Sequence, residues 1–441
     1  MTDTPSIPLP VNPDEQPILE SLQQIRDELT LLKQDRTTYV KTKDVMILYD
    51  KLVDQVQLLS DIRAEKPEEE NRVDRVLDSC FQLISLFFMT IGRNNEAPAA
   101  YALTSTIKRL LDHLIEVDLY SAKDLDHVSG TIQNLRQIVR NAEASYSPKL
   151  LTLLSNRLDV CQSLLTNLLV RLGRLEDGLP AIHEKLISIL RSISLANTRS
   201  KFSSSEVQKL QDQLKEVDAQ KVNGNFVTES GEVPVGNQEV CDLLNRCLMW
   251  SNLVLSRKGE FPEAFQPTYK ILVEIRNRLE KLSLTQAWSL RETDLYDFQR
   301  QLDKIDESRI GGNFVDGEGN FAELYVQRTL LYLLRRSYGY IYYLMVSSEP
   351  VSEALLPVYN QLQTLKRCLI EVKNSGGVSS PRELYPYSMK LNSIDNMRKD
   401  GKFMVGEEIP EGQGSVNELL AECFELSYEL RVAAEPEDSD A

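Results

Sequence analysis

The side chains best equipped for chemistry in this chain are few and scattered. Three histidines occur, His113, His127 and His183, and Asp112, Asp118, Asp124 and Asp126 stand around the first two. Imidazoles beside carboxylates can hold a metal or relay a proton. His113 and His127 fall on successive helices and could approach one another across the turn between them. The preferred reading is a surface turn whose acids sit at a helix N-terminus, where the dipole favours them. His183 aligns with Tyr269 and Tyr359 in related segments, which makes it a half-buried packing residue with a polar tip. None of the six cysteines forms a C-x-x-C pair, so neither a zinc ribbon nor a redox motif is indicated. No catalytic residue, metal or cofactor is expected.

Three glycine-rich loops, at 222–238, 310–320 and 399–414, are the most tempting binding elements. They carry Asn223-Gly224-Asn225-Phe226-Val227, Gly311-Gly312-Asn313-Phe314-Val315 and Asp400-Gly401-Lys402-Phe403-Met404. Glycines can expose backbone amides to a phosphate, and Lys221, Arg309 and Arg398 lie close by. A small anionic-ligand sensor, or an unrecognised enzyme, would place its pocket under these loops. Yet no phosphate-loop motif is present and acids crowd all three. The stretch Asp316-Gly317-Glu318-Gly319-Asn320 has half the composition of a calcium loop with its oxygen ligands misplaced. The loops therefore read as structural turns, able to form small hairpins, in which Phe226, Phe314 and Phe403 plug into a helical layer. The basic residues lie three positions after Asp218, Asp306 and Asp395, a helical ion-pair spacing.

A second cluster gathers Tyr325, Tyr332, Tyr338, Tyr340, Tyr342 and Tyr343 beside Arg328, Arg335 and Arg336. Tyrosine with arginine is the usual chemistry of an interface hot spot. Tyr332 and Tyr342 read as core, whereas Tyr338 and Tyr340 are open. The candidate partner surface is thus Asn225, Phe226, Asn313, Phe314, Lys402 and Phe403 on the loops, with Arg328, Arg335, Arg336, Tyr338 and Tyr340 on the cluster.

The elements that position these residues are set by an internal repeat. A leucine followed three residues later by a small residue recurs at Leu77/Cys80, Leu158/Cys161, Leu244/Cys247, Leu334/Ser337 and Leu420/Cys423, in steps of 81, 86, 90 and 86 residues. Cys and Ser interchange where a small side chain must pack closely, so these thiols are expected to be inert. Pro17, Pro267 and Pro357 open helices, each with Leu five residues on. An acid followed by an apolar residue at +8 marks a second helix, as Asp44/Leu52, Asp124/Ile132, Glu206/Leu214, Asp294/Leu302 and Glu383/Leu391. Thr42, Ser121, Ser205, Thr293 and Ser380 are its candidate caps. The expected fold is all-α: five tandem three-helix repeats at 17–90, 98–170, 179–257, 265–346 and 353–432, stacked into an elongated array or superhelix with neighbour-to-neighbour contacts. Residues 1–16 and 433–441 are expected to be disordered tails.

Composition narrows the function classes. The chain is 42% hydrophobic and 26% charged, with a net charge of −16 and a pI near 4.9. A nucleic-acid binder needs a basic footprint, and no run of Lys/Arg with interleaved aromatics is visible. Anionic membrane surfaces are disfavoured for the same reason. The N-terminus has no apolar signal segment, and the most apolar stretch, 330–346, is interrupted by Arg335 and Arg336. The cysteine pattern suits a reducing, intracellular compartment.

The stretch Leu-Asp-Lys-Ile-Asp-Glu-Ser-Arg-Ile-Gly-Gly-Asn-Phe-Val at 302–315, the segment Phe265-Gln266-Pro267-Thr268-Tyr269 and the Leu-Leu-Asn-Arg-Cys block at 243–247 resemble an uncharacterised fungal protein family, over nearly the whole chain. The resemblance implies a cytoplasmic and nuclear protein without an established activity, loosely associated with proteasome function and tolerance of DNA damage. Together these readings point to a non-catalytic helical scaffold or adaptor that binds protein partners.

Overall fold

The computed structural model describes residues 8–63 and 70–434, with the backbone alone at 286–289. The described residues form fifteen α-helices in chain order. They are α1 (Gln16–Gln34), α2 (Thr42–Arg63), α3 (Arg72–Thr90), α4 (Ala100–Val117), α5 (Ala122–Asn141), α6 (Pro148–Leu172), α7 (Leu179–Asn197) and α8 (Ser204–Asp218). Then follow α9 (Asn237–Arg257), α10 (Gln266–Ser289), α11 (Leu295–Glu307), α12 (Leu324–Val346), α13 (Leu356–Asn374), α14 (Tyr385–Asp395) and α15 (Gln413–Ala434). The fold is all-α, with one two-stranded ribbon between α14 and α15, β1 (Arg398–Lys399) paired antiparallel with β2 (Lys402–Phe403).

Taken in threes, the helices repeat one packing scheme. The first and third helix of each three make the main contact: α1 with α3, α4 with α6, α7 with α9, α10 with α12 and α13 with α15. The repeated cysteine sits in that contact for a physical reason. Its small side chain lets the first helix approach so closely that each thiol points at a backbone carbonyl there. Cys80 faces Leu22 O at 3.5 Å, Cys161 faces Thr104 O at 3.7 Å, Cys247 faces Leu186 O at 3.8 Å and Cys423 faces Leu362 O at 3.5 Å. In α12 the hydroxyl of Ser337 turns instead to Leu333 O on its own helix, at 2.9 Å. Leu22, Leu186, Leu272 and Leu362 are fully buried in these contacts, each contributing about 1.5–3 kcal/mol of apolar burial.

Local chemistry explains the helix ends. Prolines occupy the first turns of α1, α6, α7 and α13, where a missing amide costs nothing. Ser121 and Asp124 form a capping box on α5. Ser203, rather than Ser205, caps α8. Thr293 caps nothing: it lies in a 3-10 turn before α11, with its hydroxyl buried and without a partner.

The helices depart from a simple row. α12 lies against α4 and touches α7 and α9, α11 and the turn before it pack on α3, and α10 meets α13. The fourth set of three therefore touches all the others. Its α12 explains why: Tyr325, Val326, Leu330, Leu333, Ile341, Tyr342 and Met345 are all buried, and a helix apolar on several faces must be covered on several sides. One apolar core runs from Ile18 to Met345, and a second, from Val351 to Leu430, belongs to α13–α15.

Polar contacts join the two cores. Arg291 donates to both oxygens of Glu353 at 2.5 and 2.6 Å, and both side chains are buried. The amide of Val40 donates to Glu353 Oε1 at 2.8 Å, and the Glu353 amide donates to Thr90 O at 2.9 Å. Gly92 sits at a φ of +84°, with Ser352 N only 2.5 Å from where a Cβ would stand.

The N-terminal segment corrects an expectation. Pro8 O accepts from the Arg72 amide at 3.0 Å, and Glu15 is buried with its carboxylate forked onto Arg63 at 2.9 Å. Residues 8–16 are thus docked, because their acid has a half-buried guanidinium to meet. Residues 1–7 and 435–441 of the expected tails lie outside the described residues.

Candidate functional site

The glycine-rich loops are hairpin turns with an internal purpose. Asn223 and Gly224 have φ of 51° and 82°, Gly311 and Gly312 have 55° and 81°, and Asp400 and Gly401 have 50° and 76°. Two successive positive φ values define a type I′ turn, which Asn-Gly, Gly-Gly and Asp-Gly tolerate. Each turn delivers its phenylalanine inward, and Phe226, Phe314 and Phe403 are 4%, 4% and 2% exposed. An amide side chain from the following helix then holds the Phe backbone. The Phe226, Phe314 and Phe403 amides donate to Asn237 Oδ1, Gln327 Oε1 and Gln413 Oε1, each at 2.9 Å. These phenylalanines are therefore not partner surface, a correction to the sequence reading. Asn313 and Lys402 remain exposed, while Asn225 is half-buried and accepts from Asn237 Nδ2 at 2.7 Å.

The basic residues beside the loops are engaged as their spacing predicts. Lys221 pairs with Asp218 at 2.6 Å, Arg309 with Asp306 at 2.7 Å, and Arg398 with Asp395. An anion pocket under the loops thereby loses its cations. In the fourth set the pair grows into a buried network with α4. Asp306 Oδ2 meets His113 Nε2 at 3.1 Å and Arg109 Nη1 at 3.4 Å, while Arg309 also forks onto Glu116 at 2.6 and 3.1 Å. Burial works against the Asp306 charge, but His113, Arg309 and Arg109 outweigh it and hold its pKa below the usual aspartate value.

The two histidines do not meet. His113 is buried on Asp306 and the Tyr338 ring, and His127 Nδ1 lies 2.7 Å from Tyr342 Oη. Among the described residues, no group of three His, Cys, Asp or Glu is placed to hold a metal ion. The tyrosine cluster divides. Tyr332, Tyr338 and Tyr342 are buried, and Tyr338 donates to Asp303 Oδ1 at 2.6 Å. Tyr338 thus belongs to the core, which corrects its placement on the surface. Arg336 is exposed over the half-buried Tyr340 ring at 4.5 Å, and Tyr340 donates to Glu280 at 2.9 Å. Arg328 and Arg335 are half-buried and line a cleft between helices.

A larger feature escaped the sequence reading. A groove of about 1270 Å³ runs between α1 and the α10–α11 pair. Acids and bases both line it, but in different states. Asp297 is paired with Lys33 at 2.5 Å and Asp294 with Arg36; Asp303 is held by Tyr338; and Glu307 is paired with Arg75. Arg278 lies over the Phe298 ring at 5.1 Å. Among the described residues, Arg278, Lys281, Arg300 and Lys304 make no ion pair, so the groove is a positive island on an acidic chain. Asp27 also lines the groove. These bases come from two helices and are apart in sequence, so no basic run announces them.

Residues 172–292 and 349–440 match a family described as "Protein of unknown function (DUF2408)". Across 440 residues the chain is 40% identical to a CUB1 family protein of Schizosaccharomyces pombe, covering 98% of this chain and 95% of the relative. It is 35% identical over 505 residues to Cu(2+) suppressing and bleomycin sensitive protein 1 of Saccharomyces cerevisiae, covering 96% and 90% respectively. No solved structure matches the chain. None of the described helices is long and apolar enough to cross a membrane.

Proposed function

The chain belongs to the CUB1 family of fungal proteins, and we propose that it is a non-catalytic helical scaffold whose groove between α1 and α10–α11 receives an acidic segment of a protein partner. One observation carries this reading: four of the five acids that line the groove, Asp294, Asp297, Asp303 and Glu307, are engaged within the fold, while Arg278, Lys281, Arg300 and Lys304 make no ion pair among the described residues. Such a surface steers an acidic partner and fixes its register. Size argues for a peptide, since small-molecule pockets run to about 300–1,000 Å³ and the groove holds about 1270 Å³.

Nucleic acid is the weaker occupant. Its single strands are held by stacking on aromatic faces, and the groove's Tyr296 and Phe298 are buried. The chain's net charge of −16 opposes a long polyanion that reaches beyond the groove. We place its work in the cytoplasm and the nucleus. A share in proteasome function or DNA-damage tolerance belongs to the same proposal, as does the bleomycin sensitivity in the yeast relative's name.

The test is a titration of the full chain with a fluorescent ten-residue glutamate-rich peptide, a neutral peptide of equal length and a single-stranded oligonucleotide. The glutamate peptide is expected to bind, to weaken with salt, and to lose at least tenfold in affinity to the double variant Arg278→Glu, Lys281→Glu. Equal affinity in the variant, or tighter binding of the oligonucleotide, contradicts the proposal.

A further inference from the structure

Three arginines converge on a second, smaller cleft. It holds about 70 Å³ and lies between α7, α9 and α12, with Trp250, Leu190 and Leu331 among its walls. Arg246 comes from α9, and Arg328 and Arg335 lie seven residues, two turns, apart on α12. The Arg328 guanidinium stands 5.8 Å from the centre of the buried Trp250 ring. Arg246 Nε and Arg335 Nη1 are both out of reach of solvent and have no hydrogen-bond partner in the fold.

The neighbouring acids answer these charges only in part. Asp118 reaches Arg246 Nη2 at 3.4 Å from the outer side, and is shared with Arg171 at 3.6 Å. Asp124 is taken by Arg191. Withdrawing part of a guanidinium from water without an acceptor is costly, and gathering several such groups is more so. The strain registers on the groups themselves. Burial, then the charge of Arg191, brings Arg335 down to about 10, and burial followed by Arg246 lowers Arg328.

We propose that the cleft bounded by Arg246, Arg328 and Arg335 is a binding site for a single small oxyanion of the phosphate class. Guanidinium forks match the oxygens of phosphate in geometry and charge. A tetrahedral anion with up to two charges suits three cations better than a carboxylate with one. The volume limits the buried part of the ligand to about one such group, so a nucleotide does not enter. This site is independent of the α1–α11 groove, and stands or falls separately from the scaffold reading.

The experiment uses the full chain carrying Trp288→Phe, which leaves Trp250 as the fluorescent reporter at the cleft. Inorganic phosphate is titrated against chloride at constant ionic strength. A saturable change in Trp250 emission and a matching rise in melting temperature are expected with phosphate and not with chloride. Arg335→Met should weaken phosphate at least tenfold while leaving the unliganded protein as stable as before or more so, because it removes a half-buried charge whose Nη1 has no partner in the fold. Arg328→Gln provides a second variant if the first folds poorly. A phosphoserine peptide that competes with phosphate, while its unphosphorylated form does not, would assign the group to a modified protein; failure to compete would assign it to a free anion. No saturable change, an equal response to chloride, or undiminished affinity in both variants overturns the proposal.

Discussion

Arg291 clasps Glu353 through two hydrogen bonds of 2.5 and 2.6 Å, and the pair links the large apolar core to the separate core of α13–α15. Both side chains are under a tenth exposed. Removing one partner leaves the other charged and buried, so Glu353→Ala is expected to destabilise by about 3–5 kcal/mol. Urea unfolding followed by hydrogen exchange checks this: protection should fall first in α13–α15. Uniform loss across the chain would show that the joint is not the weak point.

The same joint has a backbone test. Gly92→Ala places a Cβ 2.5 Å from Ser352 N at a φ of +84°, a clash with main chain as well as a left-handed strain, and should cost roughly 2–5 kcal/mol. Gly401→Ala, with open space around it, should cost only about 1–2 kcal/mol. Thermal melts of the two variants give the comparison, and equal losses would contradict it.

The cysteines are predicted to differ sharply in reactivity. Cys368 is exposed, while Cys80, Cys161, Cys241, Cys247 and Cys423 are buried. Burial pushes the Cys247 thiol up to about 12, far from the thiolate form that reacts. Iodoacetamide on the native protein should label Cys368 alone, as read by peptide mass mapping. Cys247→Ser should cost less than about 1.5 kcal/mol, whereas Cys247→Phe would overpack the contact with α7 by about 1–3 kcal/mol or more.

Much of the scaffold was legible because it rests on local chemistry. Proline at helix starts, the small residue in Leu-x-x-Cys, the Asp-to-basic spacing at 218/221, 306/309 and 395/398, and the Asn-Gly and Asp-Gly turns each act within a few residues or one helix contact. Other features depend on what distant segments meet. The amides that hold the Phe loops lie 11, 13 and 10 residues after the phenylalanine, a spacing with no periodic signature. Nothing in the α12 sequence says which helices cover each apolar face, so its contact with α4 was hidden. The groove was hidden too, since the arginines and lysines on it matter only once Lys33, Arg36 and Arg75 have engaged its acids.

Acid should loosen the α4–α11 contact. The pKa of Asp306 is held below that of an unfolded aspartate, so its stabilising contribution is complete above the ordinary value of about 3.9. The contribution is lost as pH falls through the depressed folded value. Asp306→Asn removes the charge at every pH, leaves Arg309 with Glu116 and Arg109 with Asp303 and Glu307, and should cost about 1–3 kcal/mol near neutrality. The variant's stability should also fall less steeply below pH 4 than that of the parent, by urea unfolding across a pH series. Identical slopes would remove Asp306 from the acid response.

The scaffold reading meets its most direct test in the partners the full chain retains in its native cells. Affinity purification of the intact protein should be compared with a chain carrying Arg278→Glu, Lys281→Glu and Lys304→Glu, and with a control reversing Lys209 and Lys390, exposed bases on α8 and α14. The account predicts that the groove variant folds normally and loses a defined acidic partner set that the control keeps. Recovery of the same partners from all three chains would contradict it.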